Sequence, residues 1–446
     1  MSRHLFGTDG VRGKAGDPPL DRRTVARLGA ALVRAMDGSG QPRRFLVGRD
    51  TRESGEWIET ELARGVCAAG ATVTSAGVLP TPAVAYVTRE MAFDAGVVIS
   101  ASHNPFEDNG IKIFSGRGEK FSGELEREIE AIVARDDWAV SASAEAGIAR
   151  ADVMDAYLAH ARRALPDPEK LGDVSLAIDA ANGATAVAAP RLFRELGFTL
   201  HLLGASPDGR NINLGCGSTH PESLIALVRQ RGCRLGVAFD GDGDRAIFVD
   251  RDGRLVDGDA VLLMCARHMR ATGRLAGDAV VATVMSNIGL EIALRESGIA
   301  LIRCPVGDKY VMEEMLRRGL SLGGEQSGHV IFSDHLYTGD GIATALNVLR
   351  VMAETGRELA DLASELVTYP QVLVNVRVRE KKDLRSMPSV AAAIDRVEQR
   401  LAGQGRLLVR YSGTEPLLRV MLEGRDQQEI QGWAGEIAGA VREHLG

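Results

Sequence analysis

The sequence predicts an α/β protein built from several domains, and three observations lead to this prediction. Short apolar runs alternate with helical stretches along almost the whole chain, and a polar, glycine-containing turn follows each run. Apolar strands between helices are typical of parallel or mixed sheets covered on both faces, where ligands lie at the carboxyl ends of strands. The chain also has 446 residues. Because one hydrophobic core rarely supports that length, about three or four domains are expected.

Composition and charge narrow the class of protein. The formal net charge is −7 and no basic run or stripe occurs, which argues against a nucleic-acid partner. No apolar run reaches the roughly 18 residues of a membrane span, and the N-terminus lacks the apolar stretch of a signal peptide. The five cysteines are widely spaced without a Cys-x-x-Cys pair, which favours reduced thiols over disulfides or a zinc site. We therefore expect a cytoplasmic protein without nucleic-acid or membrane partners.

The first elements of the chain carry two polar turns. Phe6–Gly13 is a glycine-rich turn that contains Thr8 and Arg12, and in isolation an ordinary turn explains it as well as a ligand-binding one does. Arg44–Asp50 is predicted to be an apolar strand that ends in Gly-Arg-Asp-Thr-Arg. The helix that follows has Ser54 as its candidate N-cap.

The segment 97–105 carries the strongest local signal. The apolar strand Val97–Ser100 leads into a turn that displays Ser102 beside His103, and an Asn-Pro dipeptide then stops the strand. A serine held in this way is a candidate nucleophile or phosphate carrier, although such serines are more often turn or cap residues. Because the pattern is not Gly-x-Ser-x-Gly, an α/β-hydrolase nucleophile is unsupported. Lys112, a little further on, is either a solvated strand residue or a group that neutralises phosphate charge or relays a proton.

Three alternating carboxylates follow another apolar strand. Asp240, Asp242 and Asp244 are separated by glycines, and without a cation such carboxylates would repel one another. An EF-hand is excluded because Arg245 and Arg251 occupy the loop positions that need glycine and glutamate. A divalent metal is therefore predicted, with Mg²⁺ favoured since oxygen ligands and a phosphate suit it. A hydroxyl and a metal site together suggest phosphoryl transfer.

The loop Gly323–His329 places Glu325, Ser327 and His329 between glycines. Carboxylate and hydroxyl groups at alternate positions suit the hydroxyls or the amine of a sugar. The spacing is suggestive rather than specific, because a tight turn can also contain polar residues.

A last polar segment, Arg410–Pro416, follows the strand Leu407–Val409. Backbone N–H groups and hydroxyls in such a loop form a nest, and two arginines supply bidentate phosphate donors. The Gly-Lys-Ser/Thr element of a Walker loop is missing. We favour a phosphate-binding loop over a capping turn, with these candidate residues: Arg410, Ser412, Gly413, Thr414 and Arg419.

Taken together, the ordered motifs resemble the α-D-phosphohexomutase superfamily over nearly the whole chain. Gln326 in Gly-Glu-Gln-Ser-Gly-His is similar to the branch that acts on glucosamine phosphates, whereas phosphomannomutase/phosphoglucomutase relatives more often carry methionine there. Cys216–Glu222 and Val306–Tyr310 also look like this branch. Lys309 departs from it, since arginine is frequent at that position, and the substitution keeps the charge but loses bidentate geometry.

The resemblance implies a four-domain architecture around a central cleft, with three mixed α/β domains and a smaller C-terminal α+β domain. Applied to this chain, it gives domain I with the serine loop (Ser100–Pro105) and domain II with the metal loop (Asp240–Arg245). Domain III then contains the sugar loop (Gly323–His329), and domain IV contains the phosphate loop (Arg410–Pro416). The expected bounds are 1–152, 153–252, 253–366 and 371–446. The Ala- and Ser-rich stretch Asp136–Ala151 could link the first two domains.

The resemblance also implies an isomerase that interconverts glucosamine 6-phosphate and glucosamine 1-phosphate for UDP-N-acetylglucosamine synthesis. Ser102 would be a phosphoserine, glucosamine 1,6-bisphosphate the intermediate and primer, and one Mg²⁺ per chain the cofactor. The implied metal ligands are Asp240, Asp242, Asp244 and the Ser102 phosphate. The implied reacting-centre residues are Ser102, Arg12, Lys112, Arg245 and His329, with Lys112 and His329 candidates for acid/base work. The implied substrate-binding residues are Thr8, Glu325, Ser327, Arg410, Ser412, Gly413, Thr414 and Arg419.

Three alternatives stay open at this point. A phosphomannomutase/phosphoglucomutase would prefer other hexose phosphates, and a Mg²⁺-dependent phosphatase using Ser102 would release inorganic phosphate. A non-catalytic sugar-phosphate-binding protein is disfavoured because Ser102 and the three aspartates are present. A homodimer through the first domain is a family expectation.

Overall fold

The computed structural model describes residues 5–36, 43–412 and 416–446. The chain divides into two compact units, one formed by Met1–Met285 with Gly298–Glu365, the other by Ser286–Ser297 with Leu366–Gly446. The larger unit contains three sheets and the smaller unit contains one. The predicted mixed α/β architecture with a smaller C-terminal α+β part is therefore observed.

The first sheet has six strands in the order β1-β5-β4-β2-β3-β6. Its central strands β2, β3 and β4 are parallel, and β5 and β1 are antiparallel additions at one edge. The strands are β1 (Val11–Lys14), β2 (Arg44–Arg49), β3 (Thr72–Val78), β4 (Ala95–Ile99), β5 (Asp108–Ser115) and β6 (Ile148–Arg150). The helices of this region are α1 (Arg22–Ala35), α2 (Gly55–Ala68), α3 (Thr81–Glu90) and α4 (Gly123–Ala134).

One local expectation for this region needs correction, and a second is confirmed in position but not in its hydrogen bond. The linker-like stretch Asp136–Ala151 contains β6, which pairs in parallel with β3, so part of it is a sheet strand. Ser54 occupies the N-cap position of α2 but makes no capping hydrogen bond. Its hydroxyl instead accepts a hydrogen bond from Asn109 Nδ2 at 2.8 Å, because a long-range amide competes with the helix N–H groups for the same oxygen.

The second sheet has five strands in the order β11-β10-β9-β7-β8. The strands β8, β7 and β9 are parallel, and β10 turns back against β9. The elements are α5 (Met154–Arg162), a 3₁₀ turn (Pro168–Leu171), β7 (Ser175–Asp179), α6 (Thr185–Glu195), β8 (Thr199–Leu203), α7 (Glu222–Arg231), β9 (Leu235–Phe239), β10 (Ala246–Asp250) and β11 (Leu255–Val256).

The third sheet has four strands in the order β13-β12-β14-β15. The elements in chain order are α8 (Gly258–Ala271), a 3₁₀ turn (Ala276–Asp278), β12 (Ala279–Thr283), α9 (Ile288–Glu296), β13 (Ala300–Cys304), α10 (Asp308–Arg318), β14 (Leu322–Gly324), β15 (Val330–Phe332), α11 (Gly341–Thr355) and α12 (Leu359–Ala363). Among these, α9 groups with the second compact unit.

The second unit contains an antiparallel sheet in the order β16-β18-β17. Its further elements are β16 (Gln371–Arg377), a 3₁₀ turn (Leu384–Ser386), α13 (Pro388–Leu401), β17 (Arg406–Tyr411), β18 (Leu417–Glu423) and α14 (Gln427–Leu445). Apolar residues of one sheet face pack with α13 and α14 into a separate core. No helix in the described parts of the chain is both long and apolar enough to cross a membrane.

Buried parallel strands place the polar loops of the larger unit. The central strands β4 and β9 are buried along their whole length, and the serine and aspartate motifs begin directly after them. The sugar loop begins directly after β14, which is also buried. Carboxyl ends of parallel strands are where open α/β sheets bind ligands, so the fold brings the predicted motifs to sites of this kind.

Candidate functional site

Ser102 lies in the turn after β4 in a left-handed backbone conformation, with φ of 54°. The residue is fully buried, and its Oγ donates a hydrogen bond to Asp240 Oδ2 at 2.5 Å. Its Oγ also lies 3.3 Å from His103 Nδ1. The structure therefore brings the predicted hydroxyl directly against the predicted metal loop, although 138 residues separate them in sequence.

His103 is uncharged at neutral pH. Burial, together with repulsion from Arg245 and Arg12, lowers its pKa to about 4. Arg245 also lies close by, with one guanidinium nitrogen 3.3 Å from His103 Nδ1. A neutral imidazole in this position braces the serine turn without adding charge to it.

The three aspartates form a compact cluster of oxygen ligands. One carboxylate oxygen from each of Asp240, Asp242 and Asp244 lies within 4.8 Å of the other two, and all three residues are buried. Within the described residues, Oδ1 of Asp242 and Oδ1 of Asp244 have no hydrogen-bond partner. Buried carboxylate oxygens without partners are costly, and a hard divalent cation accepts such ligands. The cluster therefore fits the predicted Mg²⁺.

The electrostatics of this cluster also favour a cation. Burial, and then repulsion from Asp244 and Asp242, raise the pKa of Asp240 well above its usual value. The backbone N–H of Arg245 donates to Asp240 Oδ1 at 3.1 Å, which leaves the other oxygen for Ser102. Repulsion among neighbouring carboxylates of this kind is relieved when a metal ion binds between them.

Lys112 is the cation that partly balances the cluster. Its Nζ donates to Asp242 Oδ2 and to Asp244 Oδ2, both at 2.8 Å, and lies 3.1 Å from Asp9 Oδ2. Burial alone lowers the pKa of Lys112, but these three carboxylates outweigh it and hold the pKa well above its usual value. The lysine therefore binds one oxygen of Asp242 and one of Asp244, and the other oxygen of each has no hydrogen-bond partner within the described residues. This arrangement favours charge neutralisation over proton transfer by Lys112.

A cavity of about 430 Å³ opens beside the cluster. The N-terminal turn, the metal loop, the 306–308 loop and the sugar loop all contribute to its wall. Six predicted site residues line it: Thr8, Arg12, Asp244, Arg245, Glu325 and His329. The structure thus brings residues of the first three predicted domains to one cleft.

Glu325 and His329 lie at the two ends of the sugar loop. Oε1 of Glu325 accepts a hydrogen bond from the backbone N–H of Gly307 at 3.2 Å. His329 is buried, and its Nε2 accepts from the backbone N–H of Gly339 at 3.1 Å while lying 3.4 Å from Asp308 Oδ2. Its Nδ1 has no partner within the described residues, so this nitrogen is available for a ligand.

Two other residues of the sugar loop face elsewhere. Ser327 is exposed and is not among the residues that line the cavity. Gln326 donates from Nε2 to Asp257 Oδ2 at 3.1 Å, and Asp257 is the N-cap of α8. The residue that distinguishes the branches in sequence therefore anchors the loop to a helix start.

Sequence reasoning missed three charged residues at the cleft. Lys120 Nζ bridges Asp9, at 2.5 Å, and Asp308. Asp9 also pairs with Arg12 and Lys112, so one carboxylate joins three cations. Asp9 stands in the same turn as Thr8, and a carboxylate beside an arginine in a glycine-rich turn was a usable signal.

Lys309, the predicted departure from the family pattern, does not line the cavity. Its Nζ pairs with Glu126 Oε2 on α4 at 2.5 Å. A single ammonium suffices for this contact, so the loss of bidentate geometry has a structural explanation.

The predicted phosphate-loop residues lie in the second unit. Arg410 and Arg419 occupy directly paired positions on β17 and β18, so both side chains extend from the same face of the sheet. Ser412 is buried, and its carbonyl oxygen accepts from Lys381 Nζ at 2.6 Å. Gly413 and Thr414 lie outside the described residues.

Four family models cover this chain almost completely. They are alpha/beta/alpha domains I, II and III and the C-terminal domain of phosphoglucomutase/phosphomannomutase, matched to residues 3–140, 155–253, 257–369 and 373–440. The chain belongs to the phosphoglucomutase/phosphomannomutase family. The predicted resemblance to the phosphohexomutases is confirmed, because all four domains occur in the family's order.

Individual relatives refine this assignment. The chain is 48% identical over 447 residues to a protein from Solibacter usitatus named phosphoglucosamine mutase, covering 100% of both chains. It matches the crystal structure of a phosphoglucomutase/phosphomannomutase family protein from Burkholderia thailandensis with a TM-score of 0.81 at 25% identity, covering 99% and 98% of the two chains. It shares its fold with Aspergillus fumigatus N-acetylphosphoglucosamine mutase, solved with GlcNAc-6P and magnesium, at a TM-score of 0.67 and 19% identity, covering 98% and 95%.

Proposed function

We propose that this family member is an isomerase that interconverts glucosamine 6-phosphate and glucosamine 1-phosphate. The observation that carries the proposal is the contact of Ser102 Oγ with Asp240, beside two carboxylate oxygens that have no hydrogen-bond partner in the described structure. This is the arrangement that a phosphoserine next to a divalent cation requires. The full-length relative at 48% identity bears the name phosphoglucosamine mutase, which supports glucosamine phosphate as the substrate.

The reaction consists of two phosphoryl transfers through Ser102. The phosphoryl group leaves Ser102 Oγ and bonds to O1 of glucosamine 6-phosphate, which gives glucosamine 1,6-bisphosphate. The 6-phosphoryl group then returns to Ser102, and glucosamine 1-phosphate leaves. Each transfer breaks one P–O bond and forms another, so enzyme and substrate are restored after both steps.

The cleft supplies positioning and charge neutralisation, the main requirements of phosphoryl transfer. One Mg²⁺ held by Asp240, Asp242, Asp244 and an oxygen of the Ser102 phosphate would supply electrostatic stabilisation of the transferring group. Lys112 neutralises two of these carboxylates, Asp242 and Asp244, by binding the Oδ2 atom of each. Arg12 and Arg245 add cations at the wall of the cavity, where a phosphate dianion needs donors.

Sugar recognition and proton transfer are assigned to the third sheet. Glu325 lines the cavity with a carboxylate that can accept from sugar hydroxyls or the amine. His329, with its available Nδ1, is the better candidate for acid/base work than Lys112. Two further residues are proposed to contact the substrate: Thr8 and Ser327. The phosphate group that is not reacting is proposed to bind the phosphate-loop residues Arg410, Ser412, Gly413 and Thr414, together with Arg419. The homodimer and the cytoplasmic location stay predictions.

The test combines intact mass with turnover on one purified sample. We expect a single phosphoryl group on Ser102 and Mg²⁺-dependent formation of glucosamine 1-phosphate, both lost in Ser102→Ala. Ser115→Ala is the matched control, because Ser115 is a half-buried serine at the end of β5 whose Oγ accepts from the backbone N–H of Arg117 at 3.3 Å. Preference for mannose 6-phosphate or glucose 6-phosphate would favour a phosphomannomutase/phosphoglucomutase, and release of inorganic phosphate without isomerisation would favour a phosphatase. No phosphorylation and no turnover, even after priming with a hexose 1,6-bisphosphate, would contradict an enzymatic role.

A further inference from the structure

Arg52 is a buried arginine that binds the backbone of the serine loop. Its side chain is 0% exposed. One terminal nitrogen donates to the carbonyl oxygens of Ser102 at 3.0 Å and Asn104 at 2.8 Å. The other terminal nitrogen donates to the carbonyl oxygens of Asp108, at 2.9 Å, and Pro105. Four N–H groups of one guanidinium therefore end on carbonyl oxygens of a single loop.

Asp50 holds this arginine and also binds the other side of Ser102. Its Oδ2 accepts from Arg52 Nε at 2.8 Å and from Ser100 Oγ at 2.5 Å. Ser100 Oγ in turn accepts from the backbone N–H of Ser102 at 3.0 Å. A guanidinium has five N–H donors, so all five of Arg52 are used. Both the N–H and the C=O of Ser102 are connected to one buried ion pair.

Asn213, in the region of the second sheet, binds two of the same carbonyl oxygens as Arg52. Asn213, from the loop between β8 and α7, donates from Nδ2 to the carbonyl oxygens of Ser102 at 2.9 Å and Asn104 at 3.1 Å. Gly241, in the metal loop, lies so close that an added Cβ would be 2.5 Å from the carbonyl oxygen of Ser102. The serine loop is therefore enclosed by polar donors and by backbone from two domains.

These donors have a consequence for the reactive hydroxyl. A left-handed conformation costs a residue with a Cβ about 1–2 kcal/mol, so Ser102 keeps its φ of 54° only if the surroundings hold it. Carbonyl oxygens bound by Arg52 and Asn213 are also unable to turn towards a phosphate on Oγ, which they would repel.

We infer that Arg52 and Asn213 are positioning residues that hold Ser102 Oγ against Asp240 for phosphoryl transfer. The inference rests on the proposed function, in which Ser102 carries the phosphoryl group.

The decisive substitution is Arg52→Lys in the full-length protein. Lysine keeps the charge beside Asp50 but offers three donors in place of five, so it cannot bind four carbonyl oxygens. A displacement of about 1 Å can cost a reaction about 100-fold, and we expect kcat to fall by about that factor while KM for glucosamine 6-phosphate changes less than about 3-fold. Intact mass should show equally slowed phosphorylation of Ser102 by glucose 1,6-bisphosphate. Arg49→Lys is the control, because Arg49 pairs with Glu56 at 2.9 Å and Glu59 at 3.3 Å.

Asn213→Gly is the second variant, and it keeps the test decisive if Arg52→Lys fails to fold. Glycine tolerates the φ of 57° at this position and removes both amide hydrogen bonds without leaving a buried charge unpaired. We expect a smaller fall in kcat and in Ser102 phosphorylation, by about 10-fold, which corresponds to about 1.4 kcal/mol.

The inference would be overturned if Asn213→Gly, and Arg52→Lys where it folds, keep their rates of Ser102 phosphorylation and turnover within about 3-fold of the parent. A raised KM with unchanged kcat would also overturn it, since the residues would then act on substrate binding. These results are distinguishable from failure of the proposed function, in which the parent protein itself takes up no phosphate from glucose 1,6-bisphosphate.

Discussion

Two clusters of buried charge meet at Ser102, and they are built differently. In the first, Asp50 and Arg52 face each other and every guanidinium N–H ends on an acceptor. In the second, Asp242 and Asp244 share Lys112, Asp240 binds Ser102, and two carboxylate oxygens have no hydrogen-bond partner among the described residues. A fully paired cluster holds structure, whereas an incompletely paired one is kept at a cost in stability for a ligand.

Burial raises both carboxyl pKa values, but the neighbouring groups act on them in opposite directions. Burial raises the pKa of Asp50, while Arg52 and Ser100 oppose that rise. Burial also raises the pKa of Asp240, and its two neighbouring carboxylates raise it further. Substitutions that remove one carboxylate should therefore have opposite effects on the two clusters.

The largest expected effect is on activity, from Asp240→Asn. The amide can still hydrogen-bond Ser102 and Arg245 but withholds one anionic ligand from the cation, so kcat should fall by about 10³-fold. The variant should also lose the rise in Tm that Mg²⁺ gives the parent, a rise expected from binding to the folded state. Turnover and thermal unfolding with and without EDTA measure both effects. Asp252→Asn, on the exposed turn after β10, is the control, and a Mg²⁺ response retained in Asp240→Asn would contradict the assigned metal site.

The second prediction concerns stability without metal. Asp50→Asn leaves the Arg52 charge buried with a neutral partner, and breaking a buried pair in this way costs about 3–5 kcal/mol. Asp240→Asn removes repulsion, so it should raise the Tm of the metal-free protein. Urea and thermal unfolding in EDTA measure the two changes. If both variants shift stability in the same direction, the contrast between the clusters is wrong.

A change of pH is expected to have a smaller effect on the difference in Tm between Asp240→Asn and the parent protein. The folded-state pKa of Asp240 is raised, whereas in the unfolded chain it is about 3.9. The folded state therefore binds the proton more tightly, and ionisation costs stability as pH rises above that unfolded value. The Tm advantage of Asp240→Asn over the parent in EDTA should grow from pH 5 to pH 7 and shrink when Mg²⁺ is added. A constant difference across this range would show that Asp240 ionises normally.

The smallest effect on stability is expected when the ion pair between Lys309 and Glu126 is removed. Lys309 is buried and Glu126 half-buried, with 9% and 18% of their side chains exposed, so the cost of burying the charges offsets most of their attraction and leaves a net contribution of about 0–1 kcal/mol. Lys309→Met should therefore lower stability by less than Asp50→Asn and leave kcat within about 3-fold of the parent. A double-mutant cycle with Glu126→Gln isolates the pair. A large loss of turnover would show that Lys309 acts in the cleft.

Local motifs predicted most of the candidate site, because three carboxylates in succession after an apolar strand are not explained by a turn alone, and the other motifs follow strand ends in the same way. Ser102 and the three aspartates were found in this way. Asp9, Lys120 and Asp308 were missed because their importance arises from contacts between loops more than 100 residues apart. Arg52 follows a strand end just as Ser102 does, so the same signal could have found it. Ser54 was placed correctly at the N-cap of α2, but local propensity does not reveal that Asn109 competes for its hydroxyl.

The separation of the site residues along the chain has a consequence for protein synthesis. Ser102 and Asp240 are 138 residues apart, and Lys120 and Asp308 are 188 apart. Domains emerge from the ribosome and fold in order, so the serine loop is made long before the carboxylates it needs. The nascent chain thus carries a serine loop without its aspartate partners, and the cavity wall is complete only after His329 has been added.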